Sequence, residues 1–365
     1  MEKDNNKESF KRKSLLGASM KNKGVLLVVV LVIIVVIALL VYFDSSKQSD
    51  AIKIGVITDL TGPAAYWGES SRIGAELAVE DLRKEGYDIE LLFEDYQLDA
   101  TKALNGAQKL VNVDNVDGIY AEFNPAAISV GSFVSDKNIL FVYDAAVTSP
   151  LEESQLTYKT YLDYQEGCKQ VAKKFKDRGI SKIGVLKINL EAGELCLKGV
   201  KEVYGENIFV ESYNLGEQDF KTQLLKLNNN KIDAVINVGF EGDTLNALKV
   251  LKEQGLNIKY GTVDDTITQQ VIDSYGDELV GGYSFGFSEV NPEFKNRLAQ
   301  YNLATDCGAA ITYTHIKQMT KAISDCKGDK ECIIAEMNDS PADDTIGFKM
   351  FSDRIAALDM EIKSY

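Results

Sequence analysis

The feature that most limits the fold of this chain is an alternation of two periodicities that starts at residue 52. Short apolar runs typical of β-strands occur at 52–57, 89–93, 118–121, 139–142, 182–186, 208–212, 234–238 and 259–262. Segments with helical periodicity lie between them, at 68–84, 100–113, 126–137, 166–178, 194–204, 219–227 and 244–254. This alternation predicts parallel sheets covered by helices on both faces. The number of units, with an irregular segment at 158–165, favours two α/β lobes over one sheet.

The composition is that of a folded, acidic protein. Of 365 residues, 45% are hydrophobic and 26% are charged, which permits a packed core. The formal net charge is −15. Because a nucleic-acid-binding face is basic, this charge argues against a nucleic-acid partner.

One uninterrupted apolar run, residues 24–43, precedes the alternating region. At ~1.5 Å per residue, a helix of this length spans ~30 Å, the thickness of the hydrocarbon core of a bilayer. Lysines and arginines cluster before the run, so the positive-inside rule leaves the N-terminus in the cytoplasm. A cleavable signal peptide is the alternative, but its apolar region is ~7–15 residues long and ends in small residues. We therefore predict a cytoplasmic tail at 1–23, a single-pass membrane anchor at 24–43, a tether at 44–51 and an extracytoplasmic domain beyond.

The first predicted strand is followed by a loop whose composition is typical of the edge of a small-molecule cleft. The stretch IKIGVITDLTGPAAYWGES carries glycines and a proline for tight backbone geometry, and Tyr66 and Trp67 as an aromatic wall. In open parallel sheets, ligands bind beyond the carboxyl ends of the strands, where this loop lies. We expect Trp67, the only tryptophan of the chain, to line a small-molecule cleft.

Five stretches keep their order and spacing from residue 52 to the end of the chain. They are IKIGVITDLTGPAAYWGES, FEDYQLDATKALNGAQKLV, AAVTSP, GEQDFKTQLLKL and TIGFKMFSD. Together they resemble the type I periplasmic binding proteins, in particular the leucine/isoleucine/valine-binding branch that serves ABC transporters. Each motif alone is short, but five in register make the resemblance specific.

The resemblance implies a two-lobed α/β fold in which each lobe is a parallel sheet flanked by helices. The chain would cross the hinge three times, near 161–165, 281–287 and 344–348. The N-lobe would then be 52–162 plus 284–344, and the C-lobe 163–283 plus 345–365. The ligand would bind in the cleft between the lobes, which closes on it.

In this family, two strand-end loops of the N-lobe hold the carboxylate and ammonium of an amino-acid ligand. The first loop matches EFNPAAI, which lacks the family's small hydroxyl residues, so the amides of Ala126 and Ala127 would face the anion from a helix N-terminus. An ordinary helix start with Pro125 near its first position is the alternative. The second loop matches AAVTSP, which implies a hydroxyl and N–H from Thr148 for the carboxylate and a carbonyl from Ala146 for the ammonium. A turn with a Ser-Pro stop is the alternative there.

On the C-lobe, the family closes the site with two aromatic residues and an acid. The first aromatic position falls on Ala192, so that ring is absent, and the second falls on Phe240. The acid falls on Asp264, with Asp265 as the alternative, and would pair with a ligand ammonium. The missing hydroxyls and the missing ring imply a roomier site than a branched-chain amino-acid site.

Motifs of enzymes and of cofactor sites do not occur in the sequence. His315 is the only histidine, and there is no Walker A pattern, no G-x-G-x-x-G after a strand and no H-E-x-x-H. We therefore predict a protein that is not an enzyme and that has no catalytic residues, no metal site and no cofactor.

The five cysteines have no zinc-ligand spacing. Outside the membrane, disulfides are permitted. Cys326 with Cys332 would close a small loop, and Cys168 with Cys196 would join two segments of one lobe, which leaves Cys307 unpaired. Five free thiols are the alternative.

Two functions fit these features. The first is a membrane-tethered solute-binding protein that captures an amino acid or similar small polar molecule and delivers it to an ABC permease. The second is a ligand-sensing ectodomain that acts with a separate signalling partner. A receptor with its own cytoplasmic signalling domain needs a longer tail than 1–23, so a sensor would depend on that separate partner, and we favour transport.

Overall fold

The computed structural model describes Ile33 and residues 51–365. The predicted tail, anchor and tether lie outside the described residues, apart from Ile33 and Ala51. Within the described part of the chain, no helix combines the length and the hydropathy that crossing a membrane requires.

Strands and helices alternate from residue 52 onwards. The first elements are β1 (Ile52–Thr58), α1 (Ala65–Lys84), β2 (Ile89–Asp95), α2 (Ala100–Asn112), β3 (Gly118–Glu122), α3 (Phe123–Val134), β4 (Leu140–Asp144), α4 (Pro150–Glu153) and β5 (Thr157–Thr160). The next are α5 (Tyr164–Asp177), β6 (Ile183–Ile188), α6 (Glu191–Tyr204), β7 (Phe209–Tyr213), α7 (Lys221–Asn229), β8 (Ala234–Val238), α8 (Glu241–Glu253) and β9 (Lys259–Val263). The last are α9 (Gln269–Leu279), β10 (Tyr283–Phe287), α10 (Pro292–Leu298), a 3₁₀ turn (Ala299–Tyr301), α11 (Cys307–Cys326), α12 (Lys330–Asn338), β11 (Met350–Ser352), β12 (Ile355–Ala357) and β13 (Met360–Ser364).

The strands of residues 51–365 form two sheets, as predicted. The order is β11-β12-β5-β4-β3-β1-β2 in the seven-stranded sheet and β13-β10-β9-β8-β6-β7 in the six-stranded sheet. The pairs among β1–β5 and among β6–β10 are parallel, because helices connect successive strands. We call the seven-stranded sheet with its helices the N-lobe and the six-stranded sheet with its helices the C-lobe.

Strand pairing differs from the predicted lobe ranges at two places. β10 lies in the C-lobe sheet between β9 and β13, although 284–344 was assigned to the N-lobe. β11 and β12 lie in the N-lobe sheet beside β5, although 345–365 was assigned to the C-lobe. The chain therefore crosses between the lobes after β10 and again between β12 and β13. Short motifs do not specify such pairings, because the partner strands are distant in sequence.

The segment 158–165, predicted as irregular, begins with a strand. β5 pairs with β4, and Tyr143 lies opposite Lys159. The chain then leaves the N-lobe sheet at Tyr161, whose φ of 94° is rare for a residue with a side chain. This turn positions the aromatic residues that follow β5 between the lobes.

In the N-lobe, α1 and α11 pack closely against each other. A Cβ atom at Gly74 would lie 2.1 Å from the carbonyl oxygen of Ala309, so only glycine permits this approach of the two backbones. Ser70 reinforces the contact, because its hydroxyl donates to the carbonyl of Thr305 at 2.7 Å and accepts from the amide of Ala309 at 2.9 Å.

The cysteines adopt the first of the two arrangements considered. Cys168 and Cys196 form a disulfide that joins α5 to α6, and Cys326 and Cys332 form one that joins the end of α11 to α12. Cys307 is a buried free thiol.

Candidate functional site

The carboxyl ends of β3 and β4 form the N-lobe side of a cavity between the lobes. β3 runs directly into α3 at Phe123, whose φ of 63° turns the chain sharply from strand to helix. β4 ends at Asp144, and the loop that follows carries Ala145 and Ala146 to the same edge of the sheet. Backbone outliers of this kind concentrate at functional sites, which makes this edge the first place to look for a ligand.

The cavity has a volume of about 80 Å³ and an almost entirely apolar lining, and we call it the apolar chamber. From the N-lobe and the hinge it is lined by Leu98, Phe123, Asn124, Pro125, Ala145, Ala146, Tyr161 and Tyr164. From the C-lobe it is lined by Ile188, Leu190, Ala192, Leu215, Val238, Gly239 and Phe240.

Contacts between the lobes close the apolar chamber. The ring centroids of Phe123 and Phe240 are 5.7 Å apart with an interplanar angle of 79°, a favourable edge-to-face pair. The hydroxyl of Thr305, which precedes α11, donates to the carboxylate of Asp265 on the C-lobe. The described residues therefore adopt a closed arrangement of the two lobes around the chamber.

Two of the predicted site residues, Ala146 and Phe240, line the apolar chamber. Trp67 does not, because its side chain is only 1% exposed and packs behind the chamber wall. Its ring lies 6.4 Å from that of Phe123 and 5.8 Å from that of Tyr161, both of which do line the chamber. Trp67 therefore supports the wall that it was predicted to form.

Ala126 and Ala127 are fully buried inside α3 and do not reach the chamber. The prediction placed them at the helix start, but α3 begins at Phe123. They lie beyond the free N–H groups at the start of a helix, which are the groups that bind anions. Asn124 and Pro125 face the chamber instead.

Asn124 is the functional candidate that the motif comparison missed. Its side-chain oxygen accepts hydrogen bonds from the backbone N–H groups of Ala146 at 3.0 Å and Val147 at 3.3 Å. These amides belong to the loop that the family resemblance assigns to a ligand carboxylate. A polar side chain directly before a proline at a strand-to-helix turn was the signal in the sequence.

Thr148 is exposed and lies outside the apolar chamber. It lines a second cavity of about 550 Å³ between the lobes, which we call the polar cleft. The polar cleft shares Ala146 and Tyr161 with the apolar chamber, so the two cavities are neighbours. The charged and amide-bearing side chains that line the polar cleft are those of Lys159, Asp163, Gln165, Glu166, Glu191 and Lys198.

Asp264 lies one residue behind the chamber wall. One carboxylate oxygen accepts from the hydroxyl of Tyr164 at 2.7 Å, and the other accepts from the amide of Asp265 at 2.7 Å. Burial raises the pKa of Asp264 well above its usual range, and the charge of Asp265 adds to this increase. Asp264 is therefore paired within the protein, and its partner Tyr164 is a lining residue of the chamber.

Three more ionisable side chains are buried at the strand ends of the N-lobe. Glu122 accepts hydrogen bonds from the hydroxyls of Thr58 and Ser71, and its burial raises its pKa to about 7. Burial also raises the pKa of Asp144 well above its usual range. Burial lowers the pKa of Lys159 to about 8, although the charges of Asp144 and Asp163 oppose the decrease.

The chain matches known proteins over most of its length. The family model described as periplasmic binding protein matches residues 51–359. The Leu/Ile/Val-binding protein of Escherichia coli is 25% identical over 233 residues, 60% of this chain and 62% of that protein. The leucine-, isoleucine-, valine-, threonine- and alanine-binding protein of Pseudomonas aeruginosa is 26% identical over 230 residues, 59% of this chain and 61% of that protein. The chain thus spans about three-fifths of the length of these curated relatives.

Solved structures share the two-lobed fold. The branched-chain amino acid substrate-binding protein LivJ of Streptococcus pneumoniae, in complex with isoleucine, has a TM-score of 0.76 and 17% identity, over 87% of this chain and 96% of that one. A solute-binding protein from R. palustris, in complex with 4-hydroxybenzoate, has a TM-score of 0.77 and 22% identity, over 86% of this chain and 93% of that one. With the match over residues 51–359, this chain belongs to the type I periplasmic binding proteins of the leucine/isoleucine/valine-binding family.

Proposed function

We propose that this chain is an extracytoplasmic solute-binding protein, and not an enzyme, that captures a small molecule between its lobes and delivers it to an ABC permease. The observation that carries the proposal is the apolar chamber, which residues of both lobes line and which Phe123 and Phe240 close. A ligand in this chamber contacts both lobes only when they are together. Its binding energy therefore favours closure, the motion by which such proteins trap a ligand.

The proposed ligand has an apolar body about the size of one ring. At roughly 10–15 Å³ for each water-sized group, the chamber of about 80 Å³ holds roughly five to eight such groups. Because Tyr164 already bonds Asp264, and Ala126 and Ala127 are buried inside α3, an α-amino acid meets fewer free partners than the family resemblance implies. The isoleucine and 4-hydroxybenzoate complexes of the structural relatives define the two ligand types to compare.

The test is calorimetric titration of the purified full chain with leucine, isoleucine, valine, benzoate, 4-hydroxybenzoate and benzamide. We expect at least one compound with a branched or aromatic body to bind, and we expect Phe240→Ala to weaken it. Tyr301→Ala is the matched control, because Tyr301 is an exposed aromatic residue that lines neither cavity. No binding by any compound, or equal affinities for the parent and Phe240→Ala, would contradict the proposal.

Membrane anchoring through residues 24–43 is part of the proposal and rests on the length and apolarity of that run. We expect the full chain to stay with membranes after high-salt washing and to keep residues 1–23. N-terminal sequencing of the mature protein checks this. A mature N-terminus between residues 43 and 51 would instead indicate a cleaved signal peptide.

A further inference from the structure

Lys159 is a buried lysine that lines the polar cleft. Its side chain is only 3% exposed, and it lies on β5, which faces the cleft between the lobes. Among the described residues, its ammonium has one hydrogen-bond contact, to the carbonyl oxygen of Tyr161 at 3.5 Å, and no carboxylate within salt-bridge distance. Burying an ammonium without a close anionic partner costs several kcal/mol, so proteins usually pair such a group.

The other charges of the polar cleft differ from Lys159, because they are exposed or already engaged. Asp163 caps α5 by accepting from the amide of Glu166 at 3.0 Å. Glu166 lies 3.4 Å from the ammonium of Lys169. Glu191 and Lys198 are exposed to solvent, which screens them. Lys159 is thus the group of this cleft that gains most from an added anion.

The position of the polar cleft suits one end of a ligand whose other end lies in the apolar chamber. The two cavities share Ala146 and Tyr161. Thr148, two residues after Ala146, is exposed and lines only the polar cleft. Since Asn124 occupies the amides of Ala146 and Val147, an anionic group is directed past that loop towards the polar cleft.

We propose that Lys159 binds the carboxylate of a monocarboxylate ligand whose apolar body occupies the apolar chamber. The inference rests on the proposed function, because it uses the same interlobe site. Charge-assisted hydrogen bonds from a lysine to a carboxylate are stronger than neutral ones, and desolvation in a closed cleft increases the difference. The ligand class is therefore an aromatic or branched aliphatic acid rather than its neutral amide.

The experiment compares matched acid and amide probes on the purified full chain by calorimetric titration. The pairs are benzoate with benzamide, and 4-methylpentanoate with 4-methylpentanamide. We expect one acid to bind more tightly than its amide, and Lys159→Met to weaken that acid about 30-fold or more while changing the amide by less than about threefold. Lys159→Arg keeps the charge and should retain most of the preference for the acid.

Lys198→Met is the matched control, because Lys198 is an exposed lysine of the same cleft. We expect it to change acid affinity by less than about threefold, since exposed charges contribute little. The melting temperature of each unliganded variant checks folding. Lys159→Met should have a melting temperature close to that of the parent, because losing a buried charge stabilises the protein while losing the cation that acts on buried Asp144 destabilises it.

The outcomes of these titrations distinguish the proposed role of Lys159 from the proposal that the apolar chamber binds the ligand. If the probes bind but the acids bind no better than their amides, or if Lys159→Met and Lys198→Met weaken the acids equally, the role of Lys159 is overturned and the apolar chamber stands. If neither these probes nor leucine, isoleucine, valine or 4-hydroxybenzoate binds the parent chain, the apolar-chamber proposal is overturned, and the role of Lys159 with it. If only one of those four compounds binds, the apolar chamber stands, and equal affinities of the parent and Lys159→Met for that compound would overturn the role of Lys159.

Discussion

The side-chain oxygen of Asn124 lies 3.0 Å from the backbone nitrogen of Ala146 and accepts its hydrogen bond. The amide of Val147 shares the same acceptor at 3.3 Å. Both amides belong to the loop in which the family resemblance implies Thr148 as the partner of a ligand carboxylate and the carbonyl of Ala146 as the partner of an ammonium, so a side chain of the protein bonds the loop expected to hold the ligand. This contact shifts the expected ligand away from a simple α-amino acid.

Asn124→Ala should release these two amides. The unliganded variant should lose ~1–3 kcal/mol of stability, because two N–H groups lose their acceptor. Isoleucine should then bind roughly tenfold more tightly than to the parent, because its carboxylate can replace the lost acceptor. Urea unfolding and calorimetric titration measure the two effects. Asn124→Asp is the control, since it keeps an acceptor and repels a carboxylate; a gain in isoleucine affinity there would contradict the explanation.

Asp264 provides a test of whether the ligand carries an ammonium. Its φ is 79°, a conformation that asparagine tolerates, so Asp264→Asn should fold with the geometry intact. If Tyr164 is the true partner of Asp264, this substitution should change ligand affinity by less than about fivefold. A ligand ammonium bound directly to Asp264 would instead lose ~2–5 kcal/mol. Calorimetric titration of the parent and of Asp264→Asn with isoleucine and benzoate measures the change in affinity. A loss of affinity for isoleucine but not for benzoate would show that the ligand ammonium binds Asp264 and would support an α-amino acid as the ligand.

Glu122 should make the stability of the protein depend on pH. Burial raises its pKa from 4.5 to about 7, so the folded state binds this proton more tightly than the unfolded state does. The free energy of unfolding should therefore fall as the pH rises from about 4.5 to about 7. At ~1.4 kcal/mol per pKa unit, the fall amounts to ~3 kcal/mol.

Glu122→Gln removes this titration while keeping groups that can hydrogen-bond Thr58 and Ser71. We expect its unfolding free energy to fall less over the same pH range, by the share that Glu122 contributes. Glu152→Gln is the control, because Glu152 is exposed on α4. Chemical denaturation at pH 5, 6 and 7 provides the comparison, and parallel curves for the parent and Glu122→Gln would refute the assignment.

The two disulfides should differ in what they contribute. Cys168 and Cys196 are 28 residues apart in sequence, whereas Cys326 and Cys332 are 6 apart. Because a longer closed loop restricts the unfolded chain more, replacing the first pair by alanines should cost ~3–4 kcal/mol and the second ~2–2.5 kcal/mol. Urea unfolding of the two double variants measures the difference. The reverse order would show that local packing of α5 and α6, rather than loop closure, decides stability.

The sequence by itself determined the class of fold and the family, and it predicted a site at the strand ends where the apolar chamber lies. Hydrophobic periodicity is a local property, and the runs at 52–57, 118–121 and 234–238 all lie within strands of parallel sheets. Motifs in register identified the family. The alignment of the motifs also predicted Ala146 and Phe240 as cleft residues, and both line the apolar chamber. This is possible because the loops that follow parallel strands lie at one edge of the sheet.

The tertiary structure decided which side chains face the cavity and which lobe receives each late strand. Trp67 packs behind Phe123 and Tyr161 and supports them, and Asn124 bonds two amides of the loop that was expected to hold a ligand. Lys159, inside a segment predicted as irregular, became a buried cation at the polar cleft. The positions of these side chains depend on contacts between residues that are far apart in the chain. Packing and hydrogen bonding in the folded protein decide which of many distant residues become neighbours. A local pattern carries no information about that selection, so it appears only when the chain is folded.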